Sequence, residues 1–147
     1  MCIPSERPCA VARVSGGEQA PSLYGTVKFY RAGNNVLVVA DICGLPETQT
    51  GIFGLHIHEG DSCKGDGFSQ TGAHYDPERQ PHPKHAGDLP PLFSCGGKAF
   101  LAVMTNRFML QQVVGRTVVI HSRPDDLHTQ PAGNSGEKIA CGMICAC

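Results

Sequence analysis

Leu23-Tyr-Gly-Thr-Val-Lys-Phe-Tyr30, Arg31-Ala-Gly-Asn-Asn35, Val36-Leu-Val-Val-Ala-Asp-Ile42 is the stretch on which the fold class turns. Its two arms are rich in Tyr, Thr, Val and Phe, residues that suit a pleated, half-buried surface. The middle is turn chemistry, with Gly and Asn able to take positive φ. Two such runs across a short turn read as a hairpin over 23–42. The same kind of short run recurs at 9–14, 51–58, 98–104, 116–121 and 138–144. No window of a dozen residues carries an apolar i, i+3, i+4, i+7 stripe free of Gly or Pro, so helical spacers are not expected. Short strands with Gly/Pro-rich turns predict an all-β antiparallel sandwich or flattened barrel.

Composition sets the frame. At 147 residues the chain has the length of one ordinary domain, read as a tail over 1–8 and a single domain over 9–147. Gly 18 and Pro 11 make about a fifth of it, rich but short of the level of a disordered chain. The net charge of -1 argues against nucleic acid or an acidic membrane surface held by bulk electrostatics. The longest aliphatic run, 36–40, is far too short to span a bilayer. What departs from the average is Cys 8 and His 7 against Trp 0.

Two stretches, 59–91 and 122–136, are polar, Gly/Pro-rich and without periodicity, and loops of that length are usually functional or disordered. Five of the seven histidines lie between 56 and 85. His56-Ile-His58 ends an expected strand, where residues i and i+2 share a face and both imidazoles can reach one metal. His82-x-x-His85-x-x-Asp88 places three nitrogen and oxygen donors within seven residues, which suits a tetrahedral ion if one more ligand arrives. Taken singly, His82 and His85 also read as solvated loop histidines among prolines. His121 follows a β-branched run and needs a partner or a role.

Gly54-Leu-His-Ile-His-Glu-Gly60, Gly72-Ala-His-Tyr75, His85-Ala-Gly-Asp88, Val114-Gly-Arg-Thr-Val-Val-Ile-His121 with Asp125-Asp126, and Gly133-Asn-Ser-Gly-Glu-Lys-Ile-Ala-Cys-Gly142 together resemble the copper/zinc superoxide dismutase family, in its bacterial form. The blocks come in the family's order and cover most of the chain from about 9 to 144. The resemblance implies a Greek-key β-sandwich. It implies copper on His56, His58, His74 and His121, and zinc on His74, His82, His85 and Asp88, with His74 as a bridging imidazolate. It further implies that Asp125 hydrogen-bonds His56 and His82 and so orients both. The expected reaction is disproportionation of superoxide, with His74 and Lys138 in catalytic roles; the alternative is a non-catalytic, chaperone-like copper- or zinc-binding member of the fold. Whether the chain is a monomer or a homodimer stays open, and His128 is expected at the surface.

Two departures from the family pattern stand out. Lys138 occupies a position where the family typically has Arg, which keeps the charge but loses the planar fork of donors. His82 and His85 are separated by two residues where the family usually has a longer segment, and Pro81 and Pro83 restrict it further, so convergence on one ion is expected to be difficult. The 122–136 loop is also short, which predicts a wide approach to the copper. Cys63 and Cys141 match the family's intrasubunit disulfide. Cys9 and Cys43 read as small core residues. Cys145-Ala-Cys147 reads as a frayed thiol tail or a soft Cu(I) site, and Cys2 and Cys95 have no assigned partner. That many unpaired thiols, with no leader in the chain, favour the cytoplasm unless a leader has been removed.

Overall fold

A computed structural model describes residues 7–147. The tail expected over 1–8 therefore falls mostly outside the described residues, as does Cys2. Eight strands form one antiparallel sheet: β1 (Ala10–Gly16), β2 (Tyr24–Ala32), β3 (Asn35–Cys43), β4 (Ile52–His58), β5 (Asp88–Phe93), β6 (Ala99–Thr105), β7 (Thr117–His121) and β8 (Lys138–Ala146). Their spatial order is β5-β4-β7-β8-β1-β2-β3-β6, and β5 and β6 approach each other so that the sheet nearly closes into a flattened barrel. β1, β2 and β3 form a meander, while β3 pairs with β6 and the chain crosses over to β4, the Greek-key connection.

The hairpin forms as expected, in register from Tyr24↔Cys43 to Ala32↔Asn35. Its turn is tighter than the sequence suggested, a two-residue Gly33-Asn34 link with Gly33 at φ +62°. Alternation then sends Val27, Phe29, Val36, Val38, Ala40 and Ile42 into a core shared with Phe53, Leu55, Ile57, Leu92, Val118, Ile120 and Ile144.

Structure within the first long loop departs from the expectation. Asp66–Thr71 forms a 3₁₀ segment, and β5 begins inside the stretch read as irregular. Pro90 and Pro91 hid that strand. Both sit in a strand that pairs on one side only, with β4, and an edge strand tolerates a missing donor. A four-residue helix, α1 (Leu110–Val113), also went unread.

The cysteines need two corrections. Cys9 and Cys43 are half-buried rather than in the core, because their strand neighbours Ala10 and Ile42 hold the inward phase. Nor is the C-terminus frayed: Cys145 lies in β8, and the Cys147 N–H donates to Cys9 O at 3.0 Å. Cys63 and Cys141 are joined by a disulfide. Among the described residues, no helix is long and apolar enough to cross a membrane.

Candidate metal centre

β4 is the element that builds the centre. Leu55 and Ile57 face the core, so His56 and His58 must face the other way, yet both are at most 2% exposed. They are covered because the 59–87 segment folds back over this outer face. Tyr75 N–H donates to Ile57 O, Ile57 N–H to Gly87 O and Glu59 N–H to Ala73 O, each at 2.8–2.9 Å. An isolated bridge sets His74 opposite His58. The Arg116 guanidinium donates to Glu59 O at 2.9 Å and lies 4.1 Å from the Tyr75 ring centroid, tying β7 to the same segment. β7 pairs with β4 in register His56↔Val119 and places His121 on the histidine face; across from His121 on β8 stands Lys138.

The side chains fall into two groups that share His74. The donor atoms of His56, His58, His74 and His121 lie within 4.8 Å of one another, and so do those of His74, His82, His85 and Asp88. All are buried. The two residues between His82 and His85 do not keep them apart, contrary to the expectation. A tight turn, closed by Lys84 N–H to Pro81 O at 2.8 Å, presents both rings to Asp88. His128 is outside both groups and exposed, as read.

Hydrogen bonds set which ring nitrogens are bare. A carbonyl can only accept, so His58 Nδ1–H donates to Gly72 O at 2.8 Å and His121 Nδ1–H to Gly136 O at 3.3 Å. Their Nε2 atoms are then lone-pair acceptors facing each other at 3.2 Å. Asp125 bridges His56 Nε2 (2.7 Å, through Oδ2) and His82 Nε2 (2.8 Å, through Oδ1). That leaves His56 Nδ1 and His82 Nδ1 buried without a partner, and His74 Nε2 is in the same condition. His82 Nδ1 in fact lies 3.0 Å from Asp88 Oδ2. Buried acceptors pointed at acceptors are costly unless a cation sits among them.

Titration behaviour agrees with that requirement. Burial pushes His56 down to about 4 from its ordinary 6.5, against the raising effect of its bond to Asp125. Burial also lowers His58 to about 2 and His121 to about 3, with neighbouring histidines adding to the shift. All three rings are thus neutral near neutrality, the form that binds metal. Burial works to raise Asp125 and Asp88, yet both are held below the usual carboxylate range: Asp125 by hydrogen bonds from His56 and His82, Asp88 by its bond with His74 and the charges of His74, His82 and His85.

A cleft opens from the centre to solvent between His58, His74, His121, Pro131, Ala132 and Lys138. Lys138 Nζ donates to Thr71 Oγ1 at 2.7 Å and to Gly72 O at 3.0 Å, fixing the ammonium at the rim. Several residues that shape the site were not legible beforehand. Gly72 and Gly136 act through backbone carbonyls, which any residue carries, and Gln130 and Arg107 act on the backbone of the His82 turn from distant segments.

A sequence model described as copper/zinc superoxide dismutase (SODC) matches residues 23–144. Curated relatives include a superoxide dismutase [Cu-Zn] of Deinococcus radiodurans, 36% identical over 86% of this chain and 80% of its own length. Another, superoxide dismutase [Cu-Zn] 2 of Aquifex aeolicus, is 33% identical over 82% of this chain and 78% of its own. A superoxide dismutase [Cu-Zn] of Legionella pneumophila is 34% identical over 84% and 79% respectively. With the fold, the two histidine groups and the matched span in agreement, the chain belongs to the copper/zinc superoxide dismutase family.

Proposed function

We propose that this chain disproportionates superoxide, two radical anions and two protons giving dioxygen and hydrogen peroxide, with copper held by His56, His58, His74 and His121 and zinc by His74, His82, His85 and Asp88. The observation that carries the assignment is the set of buried, unpartnered ring nitrogens, His56 Nδ1 and His74 Nε2 on one side and His82 Nδ1 on the other. Four imidazoles suit copper, and three imidazoles with one carboxylate suit a closed zinc site. When bound, copper supplies the one-electron cycling that the reaction requires.

The chain's own groups do the rest. His74 lines the cleft and faces both sides, with Nδ1 2.8 Å from Asp88 Oδ1 and Nε2 buried and without a partner. That Nε2 is the position from which a proton is held and handed to the departing peroxide. Asp125 fixes His56 and His82 in one tautomer each, so both present Nδ1. Lys138 places a cation at the rim, where it raises the local concentration of a small anion.

The test is metal analysis with an activity assay on the chain loaded with both metals. Copper bound stoichiometrically without superoxide-dependent turnover would defeat the proposal. Lys138→Ala is expected to lower kcat/KM by about tenfold and to flatten its dependence on ionic strength, since steering of this kind is screened by salt. Lys138→Arg is expected to raise the rate, because a guanidinium adds directional donors at the same charge; a drop would show that the ammonium is the better fit here.

A further inference from the structure

The turn that carries His82 and His85 has few means of holding itself. Pro81 and Pro83 bring no N–H. Between Pro81 and Asp88 the internal backbone bonds are Lys84 N–H to Pro81 O at 2.8 Å and Asp88 N–H to His85 O at 3.1 Å. Of the other backbone groups, His85 N–H donates to Asp88 Oδ2 at 3.0 Å and Gly87 pairs with the backbone of Tyr75 and Ile57, while those of His82 and Pro83 are met by side chains from elsewhere. Gln130, in the loop between β7 and β8, turns its carboxamide on the His82 backbone: Oε1 accepts the His82 N–H at 2.9 Å and Nε2 donates to His82 O at 2.8 Å. Arg107, after β6, donates from Nη1 to Pro83 O at 2.6 Å and to His85 O at 3.3 Å. Two segments that contribute no donor atom to the second histidine group thus grip its shortest and least self-supporting part from opposite ends.

We infer that Gln130 and Arg107 are positioning residues for zinc: an external brace that replaces the support a longer segment would give itself. The inference rests on the zinc assignment proposed above. The pairing at His82 requires a donor and an acceptor on one planar group, which a carboxamide offers and a carboxylate does not. Holding His82 and His85 in their bound positions before the ion arrives removes an ordering cost from binding, so loss of the brace shows as weaker metal affinity. The brace acts through the turn alone. The histidines on β4 and β7 are held by strand pairing and by Gly72 O and Gly136 O, so the copper group depends on it little.

The experiment titrates the metal-free, disulfide-intact chain with zinc, with Co(II) as its spectroscopic stand-in, and separately with copper, each against a competing chelator. Gln130→Glu, nearly isosteric, and Arg107→Ala are each expected to weaken zinc and Co(II) by about tenfold to a hundredfold and copper by less than about threefold, the range usual for groups that orient metal ligands. Arg107→Lys is expected to recover most of the loss, because one nitrogen makes both bonds and an ammonium can make them too. Unchanged zinc affinity in both Gln130→Glu and Arg107→Ala overturns the inference. So does an equal loss of zinc and copper, which marks the two residues as general supports of the fold, and failure of Arg107→Lys to recover affinity overturns Arg107's part. A ligand variant tests the underlying assignment separately: zinc affinity that His85→Ala leaves at the wild-type value refutes the zinc site itself, whatever the brace variants do.

Discussion

At the scale of single residues, Gly133 shows how little space surrounds the Asp125 bridge. Its φ is +69°, and a Cβ there would lie 1.9 Å from Asp125 Oδ1 and 2.7 Å from His82 Nε2. Gly133→Ala is therefore expected to cost about 1–3 kcal/mol, through strain at a positive φ and a displaced carboxylate. The measurement is the denaturant midpoint of the metal-free chain, set beside Gly33→Ala, which shares the positive φ but has nothing within 4 Å of the new methyl. Equal losses at the two glycines would show that the Asp125 contact contributes nothing. The histidines and Asp125 themselves were legible in the sequence, because their side chains carry the chemistry. Gly133 was legible only as part of a motif, since its contribution is the absence of a side chain at one crowded point.

At the scale of elements, β4 and the segment after it are the working unit. Alternation along β4 follows from sequence and sets Leu55 and Ile57 against His56 and His58. The cover over the histidines does not follow from alternation, for it depends on 59–87 folding back. The Cys63–Cys141 disulfide pins that cover to β8 across a sequence separation of 78. Cys63→Ser with Cys141→Ser is expected to lower stability by about 4 kcal/mol in the chain-entropy account. It is also expected to weaken metal binding, because the anchored segment supplies His74. Thermal unfolding of oxidised and double-mutant chains checks the first expectation and metal titration the second. β5 escaped the sequence reading for the converse reason. Two prolines read as breakers, and only its place at the sheet edge makes them harmless.

At the scale of the whole molecule, three buried histidines make stability depend on pH. His56, His58 and His121 are all lowered from 6.5, to about 4, about 2 and about 3. Between those values and 6.5 the unfolded chain holds protons that the folded chain does not. Their contribution is thus complete above 6.5 and is lost as pH falls. Asp88 and Asp125, lowered in the fold, contribute in the same direction below 3.8. The metal-free chain is expected to lose about 1.4 kcal/mol per pH unit for each of the three histidines near pH 5. Bound metal should move that loss to lower pH, because it competes with protons for the same nitrogens. Thermal midpoints from pH 7 to 4, with and without metal, measure both effects; a flat metal-free profile would contradict them.

Sequence alone determined seven of the eight strands, the face on which His56 and His58 stand, which side chains are able to donate to a cation and the chain's kinship to a known family. These are local or compositional properties: a period of two, a turn chemistry, a side chain able to bind a cation. Tertiary structure decided the rest. It brought His82 and His85 together across a two-residue turn, covered the histidine face, bared particular ring nitrogens and set Gln130 and Arg107 against a backbone far away in the chain. Those outcomes depend on which carbonyl or N–H meets which side chain across the fold. Backbone groups are the same at every residue, so nothing in the sequence marks the ones that will matter.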